Sequence, residues 1–149
     1  MQIHRIFQGA KLANFSSQCV RRDWFQKLKR IIENNACHHK ETVFDHSLNM
    51  TVRLEGLLNF NNIKPSSSKL WLKNYYSFRF TNFRRRELFL LASLFHDVGK
   101  GFDGIVTINL NGETLARGHE IIGADFIKKE FSKSKIFSTE ELNYIFNGA

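Results

Sequence analysis

The sequence predicts an all-α fold, a bundle of five or more helices that carries one small β-hairpin. Apolar residues recur at steps of three and four through most of the chain, which is the spacing of amphipathic helices. A single proline leaves long segments free to be helical. The dipeptide Asn111-Gly112 is the strongest short signal for a hairpin turn. With 149 residues, the chain is predicted to form one domain, residues 1–149.

Two amphipathic helices are predicted in the first 60 residues. The first covers residues 21–33, where apolar side chains occur at helical spacing and Asn34-Asn35 would end the helix. The second covers residues 41–59, and its apolar stripe includes one histidine, His46. We therefore expect His46 to lie on the helix face that meets the core.

Residues 61–86 are predicted to be a basic and aromatic insertion. Residues 64–68 (KPSSS) indicate a loop, because proline restricts its neighbour and serines compete for backbone hydrogen bonds. Residues 69–83 have no clean period and are assigned to a further helix. No acidic residue occurs between Gly56 and Arg86, whereas the same stretch contains seven basic ones: Lys64, Lys69, Lys73, Arg79, Arg84, Arg85 and Arg86.

The most hydrophobic predicted helix covers residues 87–97 and is apolar almost all round, which places it at the centre of the domain. Residues 98–101 (VGKG) would end it, since the two glycines permit a sharp exit. Residues 105–116 alternate around Asn111-Gly112 and predict the hairpin. Residues 118–131 return to a helical pattern, and residues 138–141 (STEE) indicate the start of a helix that we expect to continue beyond Ala149.

Charge and composition narrow the classes of function. The net charge of +8 favours ligands that carry phosphate, such as nucleotides or nucleic acid. The longest apolar run, residues 88–95, is too short to span a bilayer, so no membrane partner is predicted. Residues 1–22 contain no apolar segment of secretory type, and we expect a cytoplasmic protein. Cys19 and Cys37 are expected to be free thiols.

Three polar sites occur where apolar residues are expected: His46, the pair His96-Asp97, and His119. Burying imidazole and carboxylate groups is costly unless a partner offsets their charge. A metal ion is such a partner, and mixed His and Asp ligation suits Mn, Fe, Ni, Zn or Mg. Adjacent residues on a helix point about 100° apart, but His96 and Asp97 can converge where the helix unwinds towards Gly99.

These sites lie in three motifs, residues 41–47 (ETVFDHS), 91–100 (LASLFHDVGK) and 118–124 (GHEIIGA). In order and placement they resemble the successive motifs of HD-superfamily metal-dependent phosphohydrolase domains. The likeness is closest to the HD module of the tRNA nucleotidyltransferase group, in which a short hairpin precedes the Gly-His-Glu element. The resemblance covers roughly residues 40–131 and implies an HD-type helical bundle.

The resemblance implies a role for each motif residue. His46, His96 and Asp97 would be ligands of a divalent metal, and His119 would bind a second metal or contact phosphate. Asp97 would also orient the attacking water, and Lys100 would offset charge on the phosphate together with His119. The family pattern ends with a later Asp that has no equivalent here, so we expect it to lie beyond Ala149 or to be lost.

The implied activity is hydrolysis of a phosphomonoester or phosphodiester on a nucleotide-like substrate or a nucleic-acid end. The partner would be a phosphorylated small molecule or nucleotide, with RNA as a second partner through the basic stretch 64–86. The alternative function is a non-catalytic nucleic-acid-binding or regulatory HD module, and a third is a purely structural piece of a larger enzyme.

Several residues keep a second interpretation. His119 can be a helix N-terminal histidine without a metal role, and Lys100 can be a solvated loop lysine. Residues 37–39 (CHH) can be a zinc corner, although an exposed linker is favoured. For residues 69–86, the favoured interpretation is that the aromatic side chains pack on the core and that Arg84, Arg85 and Arg86 face water.

Overall fold

A computed structural model describes residues 3–7, 9–34, 39–61, 64 and 66–147. Within these ranges the chain is mostly helical and carries two small antiparallel strand pairs, so the predicted all-α bundle with a hairpin is confirmed. The α-helices are α1 (Ile3–Ile6), α2 (Ala10–Val20), α3 (Asp23–Gln26), α4 (Val43–Leu57), α5 (Ser66–Ser77), α6 (Arg85–Phe95), α7 (His119–Ser132) and α8 (Thr139–Asn147). The strands are β1 (Ile32–Asn34), β2 (His39–Thr42), β3 (Val106–Ile108) and β4 (Thr114–Ala116). Two 3₁₀ turns cover Lys27–Arg30 and Val98–Gly101.

Helix α6 is the centre of the bundle, as its hydrophobicity predicts. It packs against α4, α5 and α8, and its leucines are almost completely shielded from solvent. Phe95, the last residue of α6, makes edge-to-face contacts with Phe25 and Phe131 at centroid distances of 5.4 Å each. The site residues that follow α6 are therefore attached to a helix that is closely packed in the core.

The predicted helix over residues 21–33 is wrong. The segment breaks into the short helix α3, a 3₁₀ turn and strand β1, and β1 pairs with β2 in the register Glu33↔Glu41. The Ile31 carbonyl also accepts a hydrogen bond of 2.9 Å from the Val43 N–H. Pairing with strand β2 overrides the local apolar period, and Ile32, expected in the core stripe, is 56% exposed.

The remaining segments agree with the sequence in type and differ at their ends. Helix α4 begins at Val43 because the Thr42 hydroxyl accepts a hydrogen bond from the Asp45 N–H at 3.0 Å. Helix α5 starts within the serines that were expected to form a loop and ends at Ser77, short of the predicted residue 83. Helices α1 and α2 and the β1–β2 pair were not predicted. None of the helices in the described ranges combines the length and apolarity needed to cross a membrane.

The hairpin over residues 105–116 is confirmed. Strands β3 and β4 pair from Val106↔Ala116 to Ile108↔Thr114, and the Gly112 N–H donates to the Asn109 carbonyl at 3.0 Å. Gly112 has φ = 77°, a left-handed conformation that glycine adopts at little cost. The hairpin leads directly into Gly118 and helix α7.

The favoured interpretation of residues 69–86 is partly wrong. Tyr76 does pack inward, between Phe60 and Phe89, whereas Trp71 remains largely exposed. Arg85 packs against two aromatic rings and does not simply point into solvent. Its guanidinium lies 4.0 Å from the ring centre of Tyr75 and 4.7 Å from that of Phe78. Aromatic rings attract a guanidinium through their electron-rich faces, and this contact fastens α5 to the start of α6.

The loop between α5 and α6 is fastened by one buried carboxylate, that of Glu141 in α8. It accepts hydrogen bonds from the backbone N–H groups of Asn82 and Phe83 at 2.6 and 2.8 Å. It also accepts from the Ser138 N–H at 2.8 Å, while the Ser138 hydroxyl accepts from the Glu141 N–H at 3.2 Å, which forms a capping box at the start of α8. Burial raises the pKa of Glu141, but the hydrogen bonds from Ser138, Asn82 and Phe83 outweigh it and hold the pKa below its usual value.

We predict that Glu141→Gln lowers the free energy of unfolding by about 2–3 kcal/mol, because the amide leaves buried N–H groups without an acceptor. The folded-state pKa is depressed, so the unfolded chain binds more protons on acidification. The difference in the free energy of unfolding between wild type and variant should be largest above about pH 4.5, the usual glutamate pKa. It should shrink as the pH falls through the lower pKa that Glu141 has in the folded state. Urea unfolding between pH 3 and pH 7 measures it.

The neighbouring Glu140 provides the matched control, because it is exposed and adjacent on the same helix. Glu140→Gln should change the free energy of unfolding by less than about 0.5 kcal/mol. Equal effects of the two substitutions would show that the Glu141 carboxylate does not hold the loop.

Candidate metal centre

The structure brings all four predicted ligand residues around the carboxylate of Asp97. His46 comes from α4, His96 and Asp97 follow α6, and His119 is the first residue of α7. Asp97 Oδ2 lies 3.2 Å from His96 Nε2 and 3.8 Å from His46 Nε2, while Oδ1 lies 3.0 Å from His119 Nε2. Ligand atoms of His46, His96 and Asp97 all lie within 4.8 Å of one another, a spacing that could hold a metal ion.

The convergence of the adjacent residues His96 and Asp97 depends on where α6 ends. The regular helix stops at Phe95, and the chain turns through His96 and Asp97 into the 3₁₀ turn Val98–Gly101. On a continuing helix the two side chains would point about 100° apart. The change of backbone path lets both reach one point, as the sequence predicts.

The ring nitrogens of two histidines are oriented in the way that metal ligation requires. His96 Nδ1 lies 2.8 Å from the Ser93 carbonyl oxygen, and His119 Nδ1 contacts the carbonyl oxygen of Ala116. A carbonyl oxygen only accepts, so each Nδ1 carries the proton and donates it. Each Nε2 then points at the Asp97 carboxylate, and the two facing atoms need a proton or a divalent cation between them. Backbone-anchored imidazoles of this kind are typical of metal sites, and the donor set fits a divalent ion.

His46 is oriented by strand β2. Its Nδ1 lies 3.5 Å from Glu41 Oε2, and the other Glu41 oxygen accepts a hydrogen bond of 2.7 Å from the Asn49 side-chain amide. The His46 ring also lies beside that of His96, with centroids 5.6 Å apart. The first residues of the predicted motif 41–47 thus support its histidine.

Asp97 is held from behind by a buried chain of charges. Lys100 Nζ donates to Asp97 Oδ2 at 2.9 Å and to Glu33 Oε1 at 2.7 Å, and all three side chains are at most 8% exposed. Burial alone would raise the pKa of Asp97, but His96 and Lys100 outweigh it and hold the pKa well below its usual range. Burial likewise opposes the charge on Lys100, and the two carboxylates overcome it and raise the pKa of the ammonium. Asp97 is therefore ionised at neutral pH.

Lys100 is not a solvated loop lysine, since its side chain is only 8% exposed. Its ammonium group already contacts two carboxylates, so contact with a substrate phosphate stays a prediction. Glu33, which completes this arrangement, was missed because its segment was assigned to a helix. In strand β1 Glu33 is buried between the exposed residues Ile32 and Asn34, a period-2 pattern that only a strand assignment would have revealed.

His119 reaches Asp97 because two glycines let the backbones touch. A methyl group at Gly99 would lie 1.9 Å from the His119 carbonyl oxygen, and one at Gly123 would lie 2.9 Å from the Gly99 nitrogen. Gly99 has no positive φ, so its role is close approach and not the left-handed exit expected from the sequence. The 3₁₀ turn and α7 can therefore pack with no side chain between them.

A cavity of about 340 Å³ opens beside the centre. His96, His119 and Glu120 are among its lining residues, whereas His46 and Asp97 are not. Its other walls are mainly apolar and include Met50, Leu54, Phe89, Ala92, Ala124, Ile127, Ile145 and Phe146. An apolar cavity with a few polar side chains in its wall is the usual form of a small-molecule site.

The cysteines contribute nothing to this centre in the part of the chain that is described. Cys37 and His38, two members of the zinc-corner alternative, lie outside the described residues. Cys19 is half-buried on α2, and burial raises the pKa of its thiol to about 12, which leaves it protonated and unreactive at neutral pH.

The HD domain family model matches residues 43–145, about two thirds of the chain, and this span contains His46, His96, Asp97 and His119. The chain belongs to the HD domain family. HD domains form a superfamily of metal-dependent phosphohydrolases, and His46, His96 and Asp97 could bind the metal in this one. A search of curated proteins and a search of solved structures each found no match.

We predict that Gly99→Ala lowers the free energy of unfolding by more than about 3 kcal/mol, because the added methyl group meets backbone atoms that cannot move aside. Gly56→Ala is the matched control. Gly56 lies in α4, a methyl group there meets nothing within 4 Å, and the change should stabilise the HD domain by about 0.5–1 kcal/mol. Urea unfolding followed by circular dichroism measures both, and a Gly99→Ala variant as stable as wild type would contradict the close contact.

We also predict that Lys100→Met costs about 3–5 kcal/mol of stability, because it leaves two buried carboxylates without their cation. The double substitution Lys100→Met with Glu33→Leu should recover part of this loss, since one of the stranded charges is then removed. Lys129→Met, at an exposed position on α7, should stay within about 0.5 kcal/mol of wild type. If Lys100→Met matches Lys129→Met in chemical unfolding, Lys100 does not hold Asp97.

Proposed function

We propose that this HD domain is a divalent-metal-dependent phosphohydrolase that acts on phosphate esters of nucleotide-like substrates. One observation carries the proposal: three histidine Nε2 atoms face the two oxygens of a buried, ionised carboxylate, and two of these histidines, His96 and His119, line an apolar cavity. That combination supplies metal ligands and space for a substrate in one place.

His46, His96 and Asp97 would hold the ion, which can be Mn, Fe, Ni, Zn or Mg. When bound, such an ion activates water as a nucleophile and neutralises charge on phosphoryl oxygens. In the reaction, water attacks phosphorus, the ester P–O bond breaks, and the leaving oxygen takes up a proton. Asp97 would orient the attacking water, and the Glu33–Lys100 pair would keep its carboxylate in position.

His119 would act on the substrate side of the centre. It lies on Asp97 Oδ1, away from the oxygen shared by His46 and His96, and it lines the cavity. From this position it can bind a second ion or contact the phosphate as negative charge develops. The Lys100 ammonium group contacts Asp97 and would add positive charge to the same region. To contact the phosphate directly, Lys100 would have to leave Glu33.

The cavity supports a substrate whose phosphate is attached to a flat or apolar group. A phosphate at His96 and His119 would direct its attached group between Phe89, Ala124 and Ile127. A nucleobase satisfies this requirement, and so we propose a nucleotide or a nucleic-acid end. Within the HD superfamily we place the chain nearest to the tRNA nucleotidyltransferase group, which the hairpin β3–β4 immediately before Gly118-His119-Glu120 supports.

The test measures metal content and hydrolysis on the same samples. Wild type should bind Mn or Ni with near-stoichiometric occupancy by elemental analysis and hydrolyse p-nitrophenyl phosphate, bis-p-nitrophenyl phosphate or nucleoside monophosphates. His46→Ala and Asp97→Ala should lose the metal. Their hydrolytic activity should fall by at least about 10–100-fold, because even the loss of a residue that only orients a metal ligand has an effect of that size. His4→Ala, at an exposed position on α1, should change neither quantity.

Two results would overturn the proposal. One is metal content that does not differ between wild type and the two ligand variants. The other is hydrolysis that persists after chelation or in Asp97→Ala, because that activity would belong to another site or to a contaminant. Circular dichroism of each variant confirms that the comparison is between folded proteins.

A further inference from the structure

Two adjoining clefts near the N-terminal end of α6 are lined by basic side chains. The first, of about 300 Å³, is lined by Lys73, Arg84 and Arg86 together with the rings of Phe60 and Tyr76. The second, of about 290 Å³, is lined by Arg79 and again by Arg84 and Arg86. Because Arg84 and Arg86 line both, the clefts form one continuous basic surface.

Most of this charge is not neutralised by the protein. Arg86 pairs with Glu55 at 2.7 Å, whereas Lys73, Arg79 and Arg84 form no ion pair within the described residues. The acidic side chain on the cleft wall, Glu87, accepts a hydrogen bond of 2.8 Å from the Arg84 backbone N–H. Like charges held close together without counterions favour an extended anionic partner.

Exposed aromatic rings lie on α5 and just after it, in the same segment that supplies Lys73 and Arg79 to the clefts. Trp71 is 62% exposed and stacks on Tyr75 with ring centres 5.3 Å apart, and Phe78 is 47% exposed. None of the residues of α5 is fully buried, so this helix presents an extensive surface to solvent. Unpaired cations and open ring faces in one segment match a polymer that carries both phosphates and unpaired bases.

We propose that this surface, formed by α5 and the loop to α6, binds single-stranded nucleic acid. The clefts would take the phosphates, and Trp71 and Phe78 would stack on bases. A duplex fits less well, since its bases are already stacked on one another and cannot use the rings. A protein or membrane partner accounts less well for a segment that combines cations without an ion pair and open ring faces.

Helix α6 connects this surface to the metal centre. Arg86 is its second residue and His96 follows its last, so the two sites are separated by about 15 Å at 1.5 Å per residue. The ring of Phe89, on the wall of the cavity beside the metal centre, contacts the ring of Tyr76, on the wall of the first cleft. Their ring centres are 5.3 Å apart. A strand held in the clefts would therefore have its end near His96 and His119. This last step rests on the proposed function, whereas binding in the clefts does not.

The test is fluorescence anisotropy with a labelled 12-nucleotide uridine RNA and the corresponding deoxyuridine DNA, at several salt concentrations. Wild type should bind single strands with an affinity that falls steeply as salt rises. A cleft variant, Lys73→Gln with Arg79→Gln and Arg84→Gln, should lose at least about 10-fold in affinity. Its salt slope should fall by about two, since each phosphate contact on a single strand contributes about 0.7. Equal binding of the two polymers would assign the recognition to phosphates and bases, and tighter RNA binding would add the 2′-hydroxyl as a contact.

A second triple variant controls for net charge. Lys128→Gln, Lys129→Gln and Lys135→Gln remove the same three charges from exposed positions outside the clefts. This variant should keep nearly the full affinity and salt slope. If both triple variants lose affinity equally, or if wild type does not bind the RNA, the proposal is overturned.

The stacking contact has its own pair of variants. Trp71→Ala should weaken RNA binding about 5-fold or more, which is the usual effect of losing one base-stacking ring. Leu70→Ala, the exposed neighbour on α5, should leave binding unchanged. Equal effects of the two substitutions would overturn the role of the ring.

The same variants separate this proposal from the proposed function. The cleft variant should hydrolyse p-nitrophenyl phosphate like wild type, and folded Asp97→Ala should bind RNA like wild type. Hydrolysis without RNA binding would overturn the nucleic-acid surface alone. RNA binding without hydrolysis would overturn the enzyme alone and leave a nucleic-acid-binding HD module.

Discussion

The carboxylate of Asp97 is buried and ionised, and the arrangement of the surrounding elements follows from its need for positive charge and hydrogen bonds. Lys100 contacts one oxygen from behind, and histidines from α4, the end of α6 and α7 face the carboxylate from the other sides. An isolated buried carboxylate would cost several kcal/mol. The elements that supply its partners are thus coupled to one another through a single side chain, and a divalent ion would complete the compensation that the histidines begin.

Close backbone packing makes this coupling possible. Gly99 and Gly123 let the 3₁₀ turn after α6 touch α7, and His119 is thereby brought within 3.0 Å of Asp97. On the opposite side, β1 supplies Glu33, and β2 supplies Glu41 beside His46. The small β1–β2 pair is therefore more than a connection, since each of its strands orients a residue of the centre. The leucines of α6 are buried in the core, and this helix provides the position against which these contacts are set.

The basic clefts and the metal centre lie towards opposite ends of the same helix, so α6 positions residues of both. Its first turn carries Arg86 and holds Arg85 between aromatic rings, while its last turn leads into His96 and Asp97. Glu141, from α8, fastens the loop that presents Arg79 and Arg84. One helix therefore holds both the basic clefts and the candidate metal ligands in fixed positions relative to each other.

The sequence by itself determined the helical class, the hairpin at Asn111-Gly112, the central place of α6 and the identity of the residues that meet at Asp97. Each of these follows from local periodicity, turn chemistry or a compact motif, which a single segment expresses on its own. Only the tertiary structure decided that residues 32–34 form a strand, that Glu33 and Lys100 support Asp97, and that Gly99 is required for close approach. Glu33 and Lys100 are 67 positions apart, and the role of Gly99 depends on backbone contact with α7, so neither feature leaves a period in the local sequence. The strand forms by pairing with β2, against the helical apolar period of its own segment.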